Sequence, residues 1–71
     1  MLRKRSFTLA GHATSVALEA EFWAVLDAAA LARGVSLAAL VAEIDGRRGD
    51  RGLASACRLA ALRLAQAGAD Q

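Results

Sequence analysis

The fold is decided by the stretch TSVALEAEFWAVLDAAALARGVSLAALVAEI, which runs from Thr14 to Ile44. Its first five residues alternate in polarity, so Val16 and Leu18 lie on one face of a short β-strand. A single strand of this length does not fold alone. We therefore expect it to pair with the same strand of a second copy, in an antiparallel ribbon that makes the chain an obligate dimer.

Two helices are predicted to follow this strand. Acidic residues after Leu18 favour a helix start there, and Gly34 offers the left-handed conformation that closes a helix. Ser36 is placed to cap the second helix, which should fade near Asp45-Gly46. The apolar positions of the strand and both helices predict a shared dimer core made of Val16, Leu18, Phe22, Trp23, Leu26, Leu40, Val41 and Ile44.

The residues before the strand allow two interpretations. Phe7 and Leu9 alternate with polar or small residues, so this segment can be extended, and Gly11-His12 then interrupts it. The pattern predicts either a short hairpin with its turn at Gly11-His12, or one long strand in which glycine permits a bulge. Because Arg3, Lys4 and Arg5 lie near the start of the chain, residues 1–13 are predicted to form a basic arm or extended segment.

A charged connection and a third helix are predicted at the C-terminal end. Residues 46–52 combine three glycines with charged residues, which is typical of an exposed loop. The helix is expected from Leu53 to about Ala67, with Cys57 as a buried, inert thiol and Arg58 in water. The chain therefore divides into the segment 1–13, a core at 14–46, and the loop with the C-terminal helix at 47–71.

The composition predicts one small, mostly α-helical domain with a thin core. The chain has 71 residues, and its hydrophobic fraction of 56% is inflated by alanine. One cysteine excludes an internal disulfide, and no Cys/His cluster suggests a metal site. No apolar run approaches the roughly 20 residues that cross a bilayer, so we expect a cytoplasmic protein without membrane contact.

Catalytic signals are missing from the sequence. No serine or cysteine is accompanied by a positioned base, and no glycine-rich phosphate loop is present. We therefore expect neither enzyme activity nor a cofactor.

The pattern resembles the ribbon-helix-helix DNA-binding superfamily over residues 14 to 45. The resemblance extends to a small uncharacterised bacterial family of ribbon-helix-helix domains. The motifs that support this extension are Lys4-Arg5-Ser6, Gly11-His12, Glu21-Phe22-Trp23 and Glu43-Ile44-Asp45.

The resemblance implies a homodimeric, bacterial, cytoplasmic regulator of transcription, whose ribbon enters the major groove of duplex DNA. Residues on the outward side of the ribbon would face the bases, and the start of the second helix would meet phosphate. Thr8 or His12 could also reach a base edge. The predicted DNA-binding residues are Arg3, Lys4, Arg5, Ala13, Ser15, Ala17 and Ser36.

The outward residues favour weak base reading. Ala13 and Ala17 can touch a thymine methyl group but cannot form a bidentate hydrogen-bonded pair, and Ser15 discriminates weakly. The formal net charge of +2 is small, although a dimer doubles it. DNA binding through backbone charge is one hypothesis, with pairing of dimers into tetramers left open. The alternative is a protein-interaction or antitoxin-like module that kept the dimer fold.

Overall fold

The computed structural model describes residues 1–69 and contains two β-strands followed by three α-helices. The elements are β1 (Leu2–Leu9), β2 (His12–Glu19), α1 (Ala20–Arg33), α2 (Leu37–Arg47) and α3 (Leu53–Ala69). This order confirms a strand, two helices and a third C-terminal helix. The last two residues of the segment 47–71 lie outside the described residues.

The strands β1 and β2 form an antiparallel hairpin within one chain, in a register that pairs Leu9 with His12. The connection is Ala10–Gly11, with φ angles of 51° and 81°. Two left-handed residues in sequence define a type I′ turn, whose twist matches that of the flanking strands. The hairpin interpretation therefore applies, and the turn lies one residue before the predicted Gly11-His12 because His12 already belongs to β2. Most of the predicted arm is a strand.

The turn predicts a stabilising substitution. The left-handed conformation is sterically strained for Ala10, and asparagine tolerates it better. Asn-Gly is also the preferred residue pair of a type I′ turn. We expect Ala10→Asn to raise the free energy of unfolding by about 0.5–1 kcal/mol in urea denaturation. Ala13→Asn is the control, because Ala13 lies in an exposed strand position where asparagine is unfavourable. Equal stabilisation by both variants would contradict this reading of the turn.

The inner face of the hairpin is buried beneath the chain's own helices. Val16 is 2% exposed and Leu18 is 0% exposed, and Phe7 packs against the same core. This corrects the expectation that a second copy must cover them, because β1 supplies the partner strand and the helices supply the apolar cover. The predicted dimer core is thus a core within one protomer, where Phe22 and Ile44 are partly buried and the others are buried: Val16, Leu18, Trp23, Leu26, Leu40 and Val41.

The helix α1 begins and ends where the sequence predicts. Glu21 lies in its first turn, and Gly34 closes it with a φ of 70°. The amides of Gly34 and Val35 donate to carbonyls of the last helical turn, at 3.1 and 3.0 Å. Its most deeply buried aromatic side chain is Trp23, whereas Phe22 is only partly buried.

The helices α2 and α3 complete the core. Ser36 caps α2 as predicted, because its hydroxyl accepts a hydrogen bond from the amide of Ala39 at 3.0 Å. The helix continues through Gly46 to Arg47, one residue beyond the expected end. In α3, Cys57 is 0% exposed, and burial raises the pKa of its thiol, with a smaller contribution from Asp45. This environment agrees with an inert thiol.

An ion pair joins α3 to the end of the hairpin. Arg58 donates from Nε to the Glu19 carboxylate at 3.0 Å, and its guanidinium lies 5.9 Å from the centre of the Phe22 ring. The pKa of Glu19 is lowered by a backbone hydrogen bond and by the hydrogen bond from Arg58. Arg58 therefore has a structural partner, which corrects the expectation that it stays in water.

Candidate nucleic-acid interface

The outward face of the hairpin combines residues from both strands. Side chains alternate along a strand, so the burial of Val16 and Leu18 turns the neighbouring residues outward. The strand register then places three facing pairs on this surface, which we call the outer face. These pairs are Lys4 with Ala17, Ser6 with Ser15, and Thr8 with Ala13.

The three facing pairs of the outer face carry small or polar side chains, and Leu2, on the same side of β1 and 52% exposed, adds an apolar side chain at its end. Lys4, Ser6 and Thr8 are exposed, and so are Ala13 and Ser15, whereas Ala17 is partly buried. The two serine hydroxyls lie 3.2 Å apart across the strands, so either can donate to the other. The alanines on this surface add no hydrogen-bonding group. The small side chains allow this face to approach a groove closely, and the groups that could contact base edges are three hydroxyls and the Lys4 ammonium.

Arg5 does not belong to the outer face. Its guanidinium donates to the Asp27 carboxylate at 3.0 and 3.2 Å and stacks 4.9 Å from the centre of the Trp23 ring. The register places Arg5 opposite Val16, on the inner side of the hairpin. The structure therefore gives this predicted phosphate contact a partner on α1 instead.

Arg3 and Lys4 are exposed near the start of β1, with Lys4 on the outer face and Arg3 on the opposite side of the strand, where the register pairs it with Leu18. Among residues 1–69, neither has a carboxylate within salt-bridge distance. The backbone carbonyl of Arg3 accepts a hydrogen bond from Trp23 Nε1 at 2.8 Å, which fixes this end of β1 against α1. Two of the three predicted arm cations thus remain available to an outside anion.

The start of α2 is the second predicted phosphate contact. The first amides of a helix lack partners within the helix, and they favour negative charge. Ser36 uses its hydroxyl to satisfy the amide of Ala39, so a phosphate would meet the remaining amides rather than a free serine hydroxyl.

Sequence reasoning missed the contribution of Ser6 to the outer face. The signal was present, because Ser6 and Thr8 alternate with Phe7 and Leu9. The prediction of an arm for residues 1–13 did not include pairing of Ser6 and Thr8 with β2. The partner of Arg5 had no such signal, since Asp27 is distant in sequence and only the fold brings the two together.

A family model described as a ribbon-helix-helix domain matches residues 2–65, which include β1 and most of α3. The chain belongs to the ribbon-helix-helix domain family. Domains of this family are generally DNA-binding regulators of transcription, typically act as dimers, and are typically not enzymes. Comparisons with curated proteins and with solved structures found no match.

Within residues 1–69, no single helix is both long and apolar enough to cross a bilayer. The helices α1 and α2 meet the length and composition criteria only as a pair, and they are bent by 105° relative to each other.

Proposed function

We propose that this ribbon-helix-helix protein is a homodimeric regulator of transcription that binds duplex DNA with the outer face of its hairpin. The observation that carries the proposal is the composition of this face. Its three facing pairs present Lys4 and three exposed hydroxyl-bearing side chains, and the large apolar side chain of Leu2 lies only at its end. Family membership supports both DNA as the partner and a dimer as the binding species.

The open edge of β2 offers a route to the dimer. Within residues 1–69 the sheet has two strands, so β2 is paired along one edge only. A two-residue turn makes Leu9 and His12 a hydrogen-bonded pair, and such pairs alternate with non-hydrogen-bonded ones. Ser15 and Ser6 form a non-hydrogen-bonded pair, so the backbone N–H and C=O of Ser15 point toward the open edge. Antiparallel pairing of two such edges would join two hairpins into one four-stranded sheet.

The proposed contacts favour affinity over sequence reading. In each protomer, Lys4 on the outer face and the exposed side chain of Arg3 at the end of the same strand would contact phosphates, together with the amides at the start of α2. Ser15 and Thr8 would contact base edges, where a hydroxyl discriminates weakly between bases. We therefore expect a modest sequence preference and a strong dependence on salt.

Titration of a random duplex at 50 and 200 mM salt tests this proposal. Four cationic phosphate contacts per dimer predict a fall in affinity of roughly a hundredfold across this range. Lys4→Ala removes two of the four, so the slope of log affinity against log salt should decrease by roughly 2. Arg63→Ala is the matched control, because it removes the same charge from α3. Absence of binding at low salt would contradict the proposal.

A protein-interaction module is the second candidate function. Ala13 and Ala17 on the outer face motivate it, because neither offers hydrogen-bonding groups from its side chain to a base edge. The same titration separates the two functions. A folded wild-type dimer without affinity for any duplex at low salt would favour protein interaction.

A further inference from the structure

A cleft of about 390 Å³ lies between α2 and α3. Leu40, Ile44 and Leu64 contribute apolar side chains to its lining. Within residues 1–69, none of the lining residues comes from the hairpin, so the cleft is separate from the outer face. Its lining also contains five arginines: Arg33, Arg47, Arg48, Arg51 and Arg63.

Positive charge is concentrated in this cleft. The whole chain has a formal net charge of +2, yet the lining has five arginines and one acidic residue, Glu43, and of the five Arg48 is paired with Asp45 at 2.7 Å. Arg33 donates to Glu43 at 2.9 Å, and Arg47 lies 3.6 Å from its other carboxylate oxygen. Among the residues that the structure describes, Arg51 and Arg63 have no salt-bridge partner.

We propose that the cleft binds a small phosphorylated molecule with an apolar or aromatic body, of the nucleotide class. Guanidinium groups offer planar pairs of donors that match phosphate oxygens, and Arg51 and Arg63 are the cations available for this role. The apolar lining accepts the body of the ligand, and the volume lies within the range of small-molecule sites. DNA fits this site less well, because its outward phosphates leave the apolar lining without a partner.

Glu43 acts as an internal competitor for the ligand. The hydrogen bond from Arg33 lowers the pKa of Glu43, so its carboxylate stays ionised at neutral pH. This carboxylate already occupies donors of Arg33 and lies beside Arg47. A bound phosphate must displace Glu43 from these donors or share them with it. Removing the negative charge of Glu43 should therefore strengthen binding.

Isothermal titration calorimetry of the full chain with ADP tests the proposal, with adenosine and inorganic pyrophosphate as partial probes. ADP should bind at least tenfold more tightly than either, because only ADP has both a phosphate chain and an aromatic body. Arg51→Ala and Arg63→Ala should each weaken ADP binding about tenfold. Glu43→Gln should tighten it severalfold. Arg3→Ala, which removes a cation outside the cleft, should leave ADP binding unchanged.

Several outcomes would overturn the proposal. Wild-type protein that fails to bind ADP at low salt has no such site. Equal affinity for ADP and adenosine would remove the role of the arginines, and equal weakening by Arg51→Ala and Arg3→Ala would indicate general charge attraction. Binding of an acidic helical peptide without binding of ADP would assign the cleft to a protein partner. Both tested arginines are exposed, so their alanine variants should remain folded, and circular dichroism checks this for each variant.

Discussion

Replacing Trp23 by alanine should unfold most of the protein at room temperature. Trp23 is 2% exposed, and its ring lies 6.0 Å from the ring of Phe7. It also donates a hydrogen bond to the carbonyl of Arg3 at 2.8 Å and supports the stacked guanidinium of Arg5. Truncating a buried tryptophan costs about 3–5 kcal/mol. A single core of this size rarely supplies more than about 3–5 kcal/mol, so little net stability would remain.

Two further substitutions separate packing from the other contributions of Trp23. Trp23→Phe keeps an aromatic ring but removes the indole N–H donor, and we expect a loss of about 1–2 kcal/mol. Leu31→Ala is the control on the same helix, because Leu31 is 83% exposed and should cost less than about 0.5 kcal/mol. Thermal melts followed by circular dichroism measure all three. A Trp23→Ala variant that melts like wild type would contradict the assigned position of this side chain.

The burial of Trp23 shows which features of this fold follow from local sequence patterns and which do not. Capping residues and apolar spacing act within a few residues, so Ser36 and Gly34 predicted the boundary between α1 and α2 correctly. The same spacing assigned Phe22 and Trp23 alike to the core, but only Trp23 is deeply buried. That difference arises because β1 brings Phe7 and the Arg3 carbonyl against Trp23, a long-range contact that helical periodicity does not encode.

The strand that covers Val16 was harder to predict. A single alternating strand needs a partner, and both β1 and a second copy satisfy that need. The left-handed turn at Ala10–Gly11 decides in favour of β1. Alanine rarely adopts this conformation, so Ala10–Gly11 is a weak turn signal. The outward direction of the Ser15 side chain was predictable, because side chains alternate along a strand whichever strand is its partner.

The alternating direction of the backbone N–H groups along β2 defines the variant that tests the proposed dimer. In β2, the N–H of Ser15 points to the open edge, whereas the N–H of the next residue, Val16, faces β1. Proline has no N–H, and strands tolerate it only where that donor is not needed by the sheet. Ser15→Pro should therefore keep the hairpin and block antiparallel pairing with a second copy, whereas Val16→Pro should break the hairpin itself.

We expect Ser15→Pro to be a folded monomer in analytical ultracentrifugation, at concentrations where the wild type is a dimer. Because a monomer loses half of the phosphate contacts and the avidity that links them, its affinity for a random duplex should fall roughly a hundredfold. Ser15→Ala keeps the backbone donor and should remain a dimer. A dimeric Ser15→Pro protein would show that the copies associate through another surface. If it were monomeric with undiminished DNA affinity, one hairpin alone would be sufficient for binding.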